Sequence, residues 1–373
     1  MNHSKSNRRN WIKQVSILGA TSLFLTPAAL GNELVPRPKD IDSEFIRLNR
    51  NENPYGPSKK AQQAILNHIG STNRYPFDLA NDLANAIAAK YGVDRQMIHL
   101  GAGSSELLQT LGFWIIKQAL PLTYCTPTFE ILPSFVQRLN GQVQSVPMLQ
   151  QFKYDLDHLL SRCARIPGVV YLVNPNNPTG SKIEKNDLLT FCQEVTKHSY
   201  LILDEAYTEY VSDDSSLITQ INHNPKLIVV RTFSKIYGLA GSRIGYLMGH
   251  ASLIEKLKDL SVWDNHSLNG AGIMAAMESI DDHQFVKESR LKNNSVKEST
   301  IKALTDLDII PFASATNFIF LPTPNNDDLR SILEYKKITI GQLKIKETNY
   351  ARISIGTNDE MSKLIKCLTE VYY

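Results

Sequence analysis

From Met97 to Met248 the chain repeats one pattern: a short apolar run, a polar break, a longer amphipathic segment, and then another apolar run. The runs are Ile98-His99-Leu100, Leu122 to Cys125, Gln142 to Val146, Val169 to Val173, Leu201 to Leu203, Leu227 to Val230 and Gly245 to Met248. Runs of three to five residues are too short for helices and, flanked by turn residues, read as strands buried in a sheet. Parallel strands need a long crossover between them, usually a helix, and the amphipathic segments supply it. The pattern predicts an α/β fold with one large, doubly wound, mostly parallel sheet. Near Ser267 the alternation gives way to a long helical stretch. Strand-like Ile309-Ile310, Phe318 to Leu321 and Ile353-Ser354-Ile355 then predict a second, smaller C-terminal α/β domain. The expected organisation is a leader over 1–31, an N-terminal arm over 32–64 packing with the small domain, a large domain over 65–266 and a small domain over 267–373. The run Asn325 to Asp328 reads as a solvated loop.

The leader carries Lys5, Arg8, Arg9 and Lys13 and no acid, followed by apolar Val15 to Leu25, then Pro27 and small residues. That order reads as a targeting segment, and its apolar stretch is too short to span a bilayer. Asn7-Arg8-Arg9-Asn10-Trp11-Ile12-Lys13 resembles the twin-arginine export signal, with departures at Asn7, Trp11 and Ile12. The resemblance implies a periplasmic or exported protein; the other reading is a cytoplasmic one with a basic tail. Lys and Arg number 40 against 37 Asp and Glu, and four of those bases sit in the leader, so the folded part is nearly neutral. No polyanion-binding surface, and hence no nucleic acid, is expected. Cys125, Cys163, Cys192 and Cys367 are widely spaced in apolar or amphipathic contexts and read as buried thiols. No two histidines stand four apart and no Cys-x-x-Cys occurs, so no metal site is expected.

Four loops that leave apolar runs carry reactive side chains. After Leu227 to Val230 comes Arg231-Thr-Phe-Ser-Lys-Ile-Tyr-Gly-Leu-Ala-Gly-Ser-Arg-Ile-Gly-Tyr246. Thr232 and Ser234 offer hydroxyls, Lys235 an amine and Arg243 a guanidinium, while Gly238, Gly241 and Gly245 let the chain pass close to a ligand. The set suits a phosphate held by hydroxyls and a guanidinium while an amine reaches an aldehyde carbon. Leu201-Ile202-Leu203 ends in Asp204, where open α/β sheets place ligand contacts, although an Asp there is also a common helix cap. Asn174-Pro-Asn-Asn-Pro-Thr-Gly180 ends the preceding run and by itself is a proline-rich turn. Gly101-Ala-Gly-Ser-Ser-Glu106 is not a dinucleotide fingerprint, because Glu106 stands where a third glycine is needed. It still offers backbone N–H groups at a helix start, an anion site.

In combination, Asn51-Glu-Asn-Pro-Tyr-Gly-Pro57, Asn176-Asn-Pro-Thr-Gly180, Asp204-Glu-Ala-Tyr207 and Ser-Lys235 followed by Arg243 resemble the fold-type I pyridoxal-phosphate enzymes. Among these the chain is similar to class I/II aminotransferases and most of all to the histidinol-phosphate aminotransferase family, from about Phe45 to the C-terminus. The resemblance implies pyridoxal 5′-phosphate as cofactor, an amino donor and a 2-oxo acid as substrates, and a homodimer. It implies that Lys235 bonds the cofactor aldehyde and carries the substrate proton, that Asp204 pairs with the ring nitrogen, and that Asn177 and Tyr207 bond the ring oxygen. Phe129 would stack on the ring. The phosphate would be shared by the Ser104 and Ser105 backbone, Thr232 or Ser234, Arg243, and Tyr75 of a neighbouring subunit. Arg352, in Ala351-Arg-Ile-Ser-Ile-Gly-Thr357, would grip the substrate carboxylate or its counterpart, with Tyr55 and Asn53 on a segment folding over the site.

One departure bears on the substrate. Members that bind a phosphorylated substrate carry a second arginine on the strand before that of Arg352, whereas this chain reads Ile338-Thr-Ile-Gly-Gln342, with Gly341 in its place. Lys344 is a point charge and does not reproduce a guanidinium fork. An unphosphorylated amino acid, including an aromatic one, becomes a candidate beside histidinol phosphate. Two other readings remain at this stage: a decarboxylase or lyase of the same fold, and a non-catalytic protein that binds the cofactor.

Overall fold

The seven apolar runs between Ile98 and Met248 all become strands of a single sheet. A computed structural model of the chain describes residues 44–212, 214–261, 267–323 and 328–372. The leader and most of the Asn325 to Asp328 run lie outside these residues. The strands are β2 (Ile98–Gly101), β3 (Leu122–Thr126), β4 (Val143–Pro147), β5 (Val169–Val173), β6 (Tyr200–Asp204), β7 (Leu227–Thr232) and β8 (Gly245–Met248). Their order is β2-β8-β7-β6-β5-β3-β4, parallel throughout except β8, which runs antiparallel to β7 and β2. Strand side chains alternate between faces, and each face has its own apolar core. Val170, Leu172, Leu201, Leu203 and Val229 pack on one side, and Val169, Val173, Ile202, Ile228 and Val230 on the other. Leu107, Leu108, Leu111 and Ile115 of the helix Ser104–Lys117 cover the second face, and Leu188, Phe191 and Val195 of the helix Lys185–Val195 cover the first. This is the doubly wound α/β arrangement expected, with β5 buried at every position as a central strand must be.

The second sheet has the order β1-β10-β11-β9, from β1 (Ile46–Leu48), β9 (Phe318–Pro322), β10 (Ile338–Ile345) and β11 (Thr348–Ser354). β1 joins β10 in parallel, so the N-terminal segment supplies an edge of this sheet. The helix His283–Thr305 and the helix Asn358–Tyr372 enclose its core of Leu48, Val296, Leu304, Ile319, Ile340 and Ile353. The strand expected at Ile309-Ile310 does not form. Asp308 turns the chain through φ 55, Ile310 is 71% exposed, and only Phe312 forms an isolated bridge, to Phe320. Two apolar residues without a paired edge do not specify a strand. The four cysteines are free thiols, three buried and Cys367 half-buried.

The large sheet decides where chemistry can occur. β5, β6 and β7 point the same way, so Asn174 to Gly180, Asp204 to Tyr207 and Phe233 to Lys235 leave one edge together. β8 enters antiparallel at that edge, with Gly245 opposite both Thr232 and Gly101. The chain on either side, Arg243 before Gly245 and Ser104 after Gly101, is thereby drawn to the same place. Such a carboxyl edge is where open α/β sheets bind ligands.

Candidate active site

A cavity of about 600 Å³ opens at this edge, and it brings together Ser104, Ser105, Phe129, Asn177, Asp204, Tyr207, Thr232, Ser234, Lys235, Arg243 and Arg352 of the residues singled out from sequence. At one end the helix Ser104–Lys117 begins after Gly103, which adopts φ +80. A Cβ at Gly103 would lie 2.3 Å from Nη2 of Arg243, and one at Gly245 would lie 2.6 Å from the Ser104 nitrogen. Both glycines are needed for the guanidinium and the helix start to approach each other. Arg243 donates to Ser234 Oγ at 3.4 Å and to the Ala240 and Ala102 carbonyls at 3.1 and 3.4 Å. Thr232 Oγ1 donates to Ser234 Oγ at 2.9 Å. Helix N–H groups, hydroxyls and a guanidinium make a cradle for an anion.

At the floor Asp204 is 1% exposed. Its Oδ1 accepts from the Ala206 N–H at 3.1 Å and its Oδ2 from the Tyr171 hydroxyl at 3.2 Å. Burial pushes its pKa from 3.8 up to about 6, against the pull of those two hydrogen bonds and of Lys235. Lys235 Nζ donates to the Arg50 carbonyl at 3.3 Å and stands 5.6 Å from the centre of the Tyr207 ring. Arg352 donates to Asn177 Oδ1 and to the Asn49 carbonyl, both at 2.7 Å. A guanidinium only donates, so Asn177 must turn its oxygen toward Arg352 and leave its NH2 for the cavity. Arg352 Nε is buried without a hydrogen-bond partner. Burial lowers the Arg352 pKa, opposed by Tyr207.

Phe129, Asn177 and Arg352 are shared with a second cavity of about 770 Å³, walled also by Met148, Phe152 and Tyr350. Phe152 packs edge-on against Tyr350, Phe312 and Phe320 at 5.5, 4.9 and 5.3 Å between ring centres. Gly341 lies directly across the β10–β11 ladder from Arg352, and a Cβ there would come within 3.4 Å of Nη2 of Arg352. The position expected to carry a second arginine is thus the cross-strand neighbour of the first.

Three residues singled out from sequence lie off the cavity wall. Asn53 bonds the Ile236 carbonyl at 2.8 Å and caps the Tyr55 N–H at 3.1 Å, while the Tyr55 ring lies under Lys292 at 5.1 Å. Tyr75 is 66% exposed and stacks on Phe77. Sequence reasoning missed the residues just before, Asn49 to Glu52, which line the cavity directly. It also missed Tyr171, hidden in an apolar run, whose hydroxyl reaches Asp204 because Val173 and Asp204 are paired in register.

The family model for aminotransferase class I and II matches residues 43–368. Histidinol-phosphate aminotransferase 1 of Nitrosococcus oceani is 30% identical over 367 residues, covering 94% of this chain and 98% of that protein. Histidinol-phosphate aminotransferase of Desulfotalea psychrophila is 32% identical over 343 residues, 89% of each. Among solved structures, histidinol-phosphate aminotransferase from Sinorhizobium meliloti in complex with pyridoxal-5′-phosphate superposes with a TM-score of 0.81 at 28% identity, over 95% of this chain and 99% of that one. L-threonine-O-3-phosphate decarboxylase from Porphyromonas gingivalis shares the fold, with a TM-score of 0.77 at 20% identity over 88% of this chain and 99% of that one. With its α/β fold, its strand-edge cavity and a family match over most of its length, the chain belongs to the class I and II aminotransferase family.

Proposed function

We propose that the 600 Å³ cavity holds the cofactor and the adjoining 770 Å³ cavity the substrate side chain. The protein is a pyridoxal-phosphate-dependent aminotransferase. The residues present fit that cofactor: glycines that a Cβ would fill open an anion cradle at one end, and a buried carboxylate waits at the other. When bound, pyridoxal phosphate supplies a ring that holds the electron pair left as the substrate α-carbon loses its proton. Ser104, Ser105, Thr232, Ser234 and Arg243 hold its phosphate. Asp204 would accept a hydrogen bond from the ring nitrogen and favour its protonated form, and Phe129 would lie against the ring. Asn177 and Tyr207 donate to the ring oxygen. Lys235 would hold the aldehyde end of the cofactor, and its Nζ, once free, would be the base that takes the proton from the substrate α-carbon. Arg352, with Nε unsatisfied, holds the substrate carboxylate.

The observation that carries this reading is the meeting of Lys235, Asp204 and Arg352 on one cavity wall. The purified protein should be yellow, its visible band should change with an amino donor and an oxo acid should form; Lys235→Ala should abolish all three. Carbon dioxide release without an oxo acid would instead favour a decarboxylase. For the donor, the names of the relatives favour histidinol phosphate, whereas Gly341 and the aromatic wall of the second cavity favour an unphosphorylated, aromatic amino acid. Following the band with histidinol phosphate and phenylalanine side by side decides between them. The active form is a homodimer in which the exposed Tyr75 reaches the phosphate of the partner subunit. Residues 1–31 direct export by the twin-arginine route, which carries folded, loaded protein.

A further inference from the structure

The Tyr207 oxygen is already engaged by a neighbour on the cavity wall. Asn51, 1% exposed, donates its side-chain amide to that oxygen at 2.9 Å. An amide nitrogen only donates, so this bond occupies a lone pair of the phenol and leaves the phenol's own proton to point elsewhere. The other end of the amide meets Ser354. The Asn51 backbone N–H donates to Ser354 Oγ at 2.8 Å, and the Ser354 hydroxyl in turn donates to Asn51 Oδ1 at 3.1 Å. The amide oxygen faces Ser354 and the nitrogen faces Tyr207. Asn317 Nδ2 further holds the Asn51 and Glu52 carbonyls at 3.0 and 3.2 Å. Asn51 adopts φ 54, a left-handed conformation that Asn tolerates better than most side chains. The Tyr207 ring is itself fixed edge-on against Phe318, 5.5 Å between centres.

We propose that Asn51 is a positioning residue of the transamination site, which fixes the Tyr207 hydroxyl as a proton donor into the cofactor cavity. Through Ser354, two residues beyond Arg352 on β11, the same chain of hydrogen bonds ties that donor to the strand carrying the substrate-anion site. The inference rests on the assignment of Tyr207 to the cofactor ring oxygen. The ionisable groups facing Tyr207 are Lys235 after β7, Asp204 at the end of β6, Arg352 on β11, and the phenols of Tyr171 and Tyr210. Lys235 and Arg352 also bond the Arg50 and Asn49 carbonyls of the segment that carries Asn51, so the uncharged Asn51→Gly and Ser354→Ala are read beside Asn51→Asp.

A donor to the ring oxygen favours its anionic form, so losing the donor raises the pH midpoint of the bound cofactor's visible absorption. The test is a pH titration of that band in the holoenzyme, with pyridoxal phosphate affinity and melting temperature measured on the same preparations. Asn51→Asp puts an acceptor where the amide nitrogen was, so the Tyr207 proton turns toward it; the midpoint should rise by about one pH unit, the scale of one hydrogen bond. Asn51→Gly removes the amide without adding backbone strain and should raise the midpoint by less. Ser354→Ala, which frees the amide to turn and leaves the left-handed residue untouched, should move it the same way and serves if either Asn51 variant fails to fold. Variants that load the cofactor with the wild-type midpoint, whatever their melting temperature, would overturn the proposal. A wild-type protein that forms no visible band would overturn both the proposal and the reading of the cavity beneath it, and so separates the two failures.

Discussion

Asp204→Asn should make the cofactor-free protein more stable at neutral pH while destroying its activity. Burial raises the Asp204 pKa from 3.8 to about 6, so the folded chain holds this proton more tightly than the unfolded one. The stabilisation from the neutral carboxyl is complete below pH 3.8 and is lost as the pH rises through about 6. Above that, folding has to bury a charge. The difference is about two pKa units, which at 1.36 kcal/mol each is about 3 kcal/mol. An asparagine avoids this cost and keeps both neighbours satisfied: its oxygen can accept from the Ala206 N–H and its nitrogen can donate to the Tyr171 oxygen. Urea unfolding of both apoproteins at pH 8 should favour the variant by about 2 to 3 kcal/mol, and at about pH 4 the gap should shrink below about 1 kcal/mol. Equal stabilities at pH 8, or a gap that does not change with pH, would refute the argument that the empty site stores an unfavourable charge. Bound cofactor should reverse the order, because its ring nitrogen then gives the carboxylate a partner.

Two glycines offer further tests. Gly103→Ala brings a Cβ to within 2.3 Å of the Arg243 guanidinium at a φ of +80, and should weaken pyridoxal phosphate binding at least about tenfold by titration of the apoprotein. Gly70→Ala, with nothing within 4 Å and off the cavity wall, is the control and should bind as the wild type does. Gly341→Arg sets a second guanidinium across the ladder from Arg352; it should raise kcat/KM for histidinol phosphate relative to phenylalanine about tenfold or more and lower apoprotein stability by up to about 1 kcal/mol. An unchanged donor ratio would mean that the second cavity does not receive the substrate side chain.

The parts of the fold that were legible in the sequence are those set by local pattern. A run such as Val169 to Val173 is apolar at every position because both of its faces are covered, and that marks it as a central strand without any knowledge of its neighbours. Lys235, Asp204 and Arg243 were legible because strand-end loops in a parallel sheet converge on one edge. β1 was not, because Ile46-Arg47-Leu48 is too short to show a period and pairs with a strand almost 300 residues away. Asn51 shows the same limit: its Tyr207 and Ser354 partners lie 156 and 303 residues on, and Asn51-Glu-Asn-Pro reads locally as a turn. Asn53 and Tyr55 drew attention because they share that turn, yet the chain has already left the cavity when it reaches them.

The two strands that deliver Asp204 and Thr232 also carry a second set of charges, and the contrast between the sets separates structure from function. Arg231 and Glu205, the neighbours of Thr232 and Asp204, are 5% and 1% exposed. Arg231 bonds Glu205 through Nε and Nη2 at 2.9 and 2.8 Å and Glu209 through Nη1 at 2.8 Å. Ser216 and the Leu217 N–H complete the Glu205 carboxylate. Every strong donor there meets an acceptor, and removing Arg231 would strand two buried carboxylates, so that cluster ties the strand ends together. On the cavity side the balance is left open. Asp204 has neutral donors only, Arg352 has neutral acceptors and one idle nitrogen, and Lys235 has a single carbonyl. Burial acts against the charge on Asp204 and on Arg352 alike, lifting one pKa and lowering the other. Charges held in that condition gain most from a ligand that brings the missing partners: an acidic ring nitrogen for the carboxylate, a carboxylate for the guanidinium, an aldehyde for the amine. Unmet demand, more than charge or burial alone, is what distinguishes these side chains from the saturated cluster one residue away.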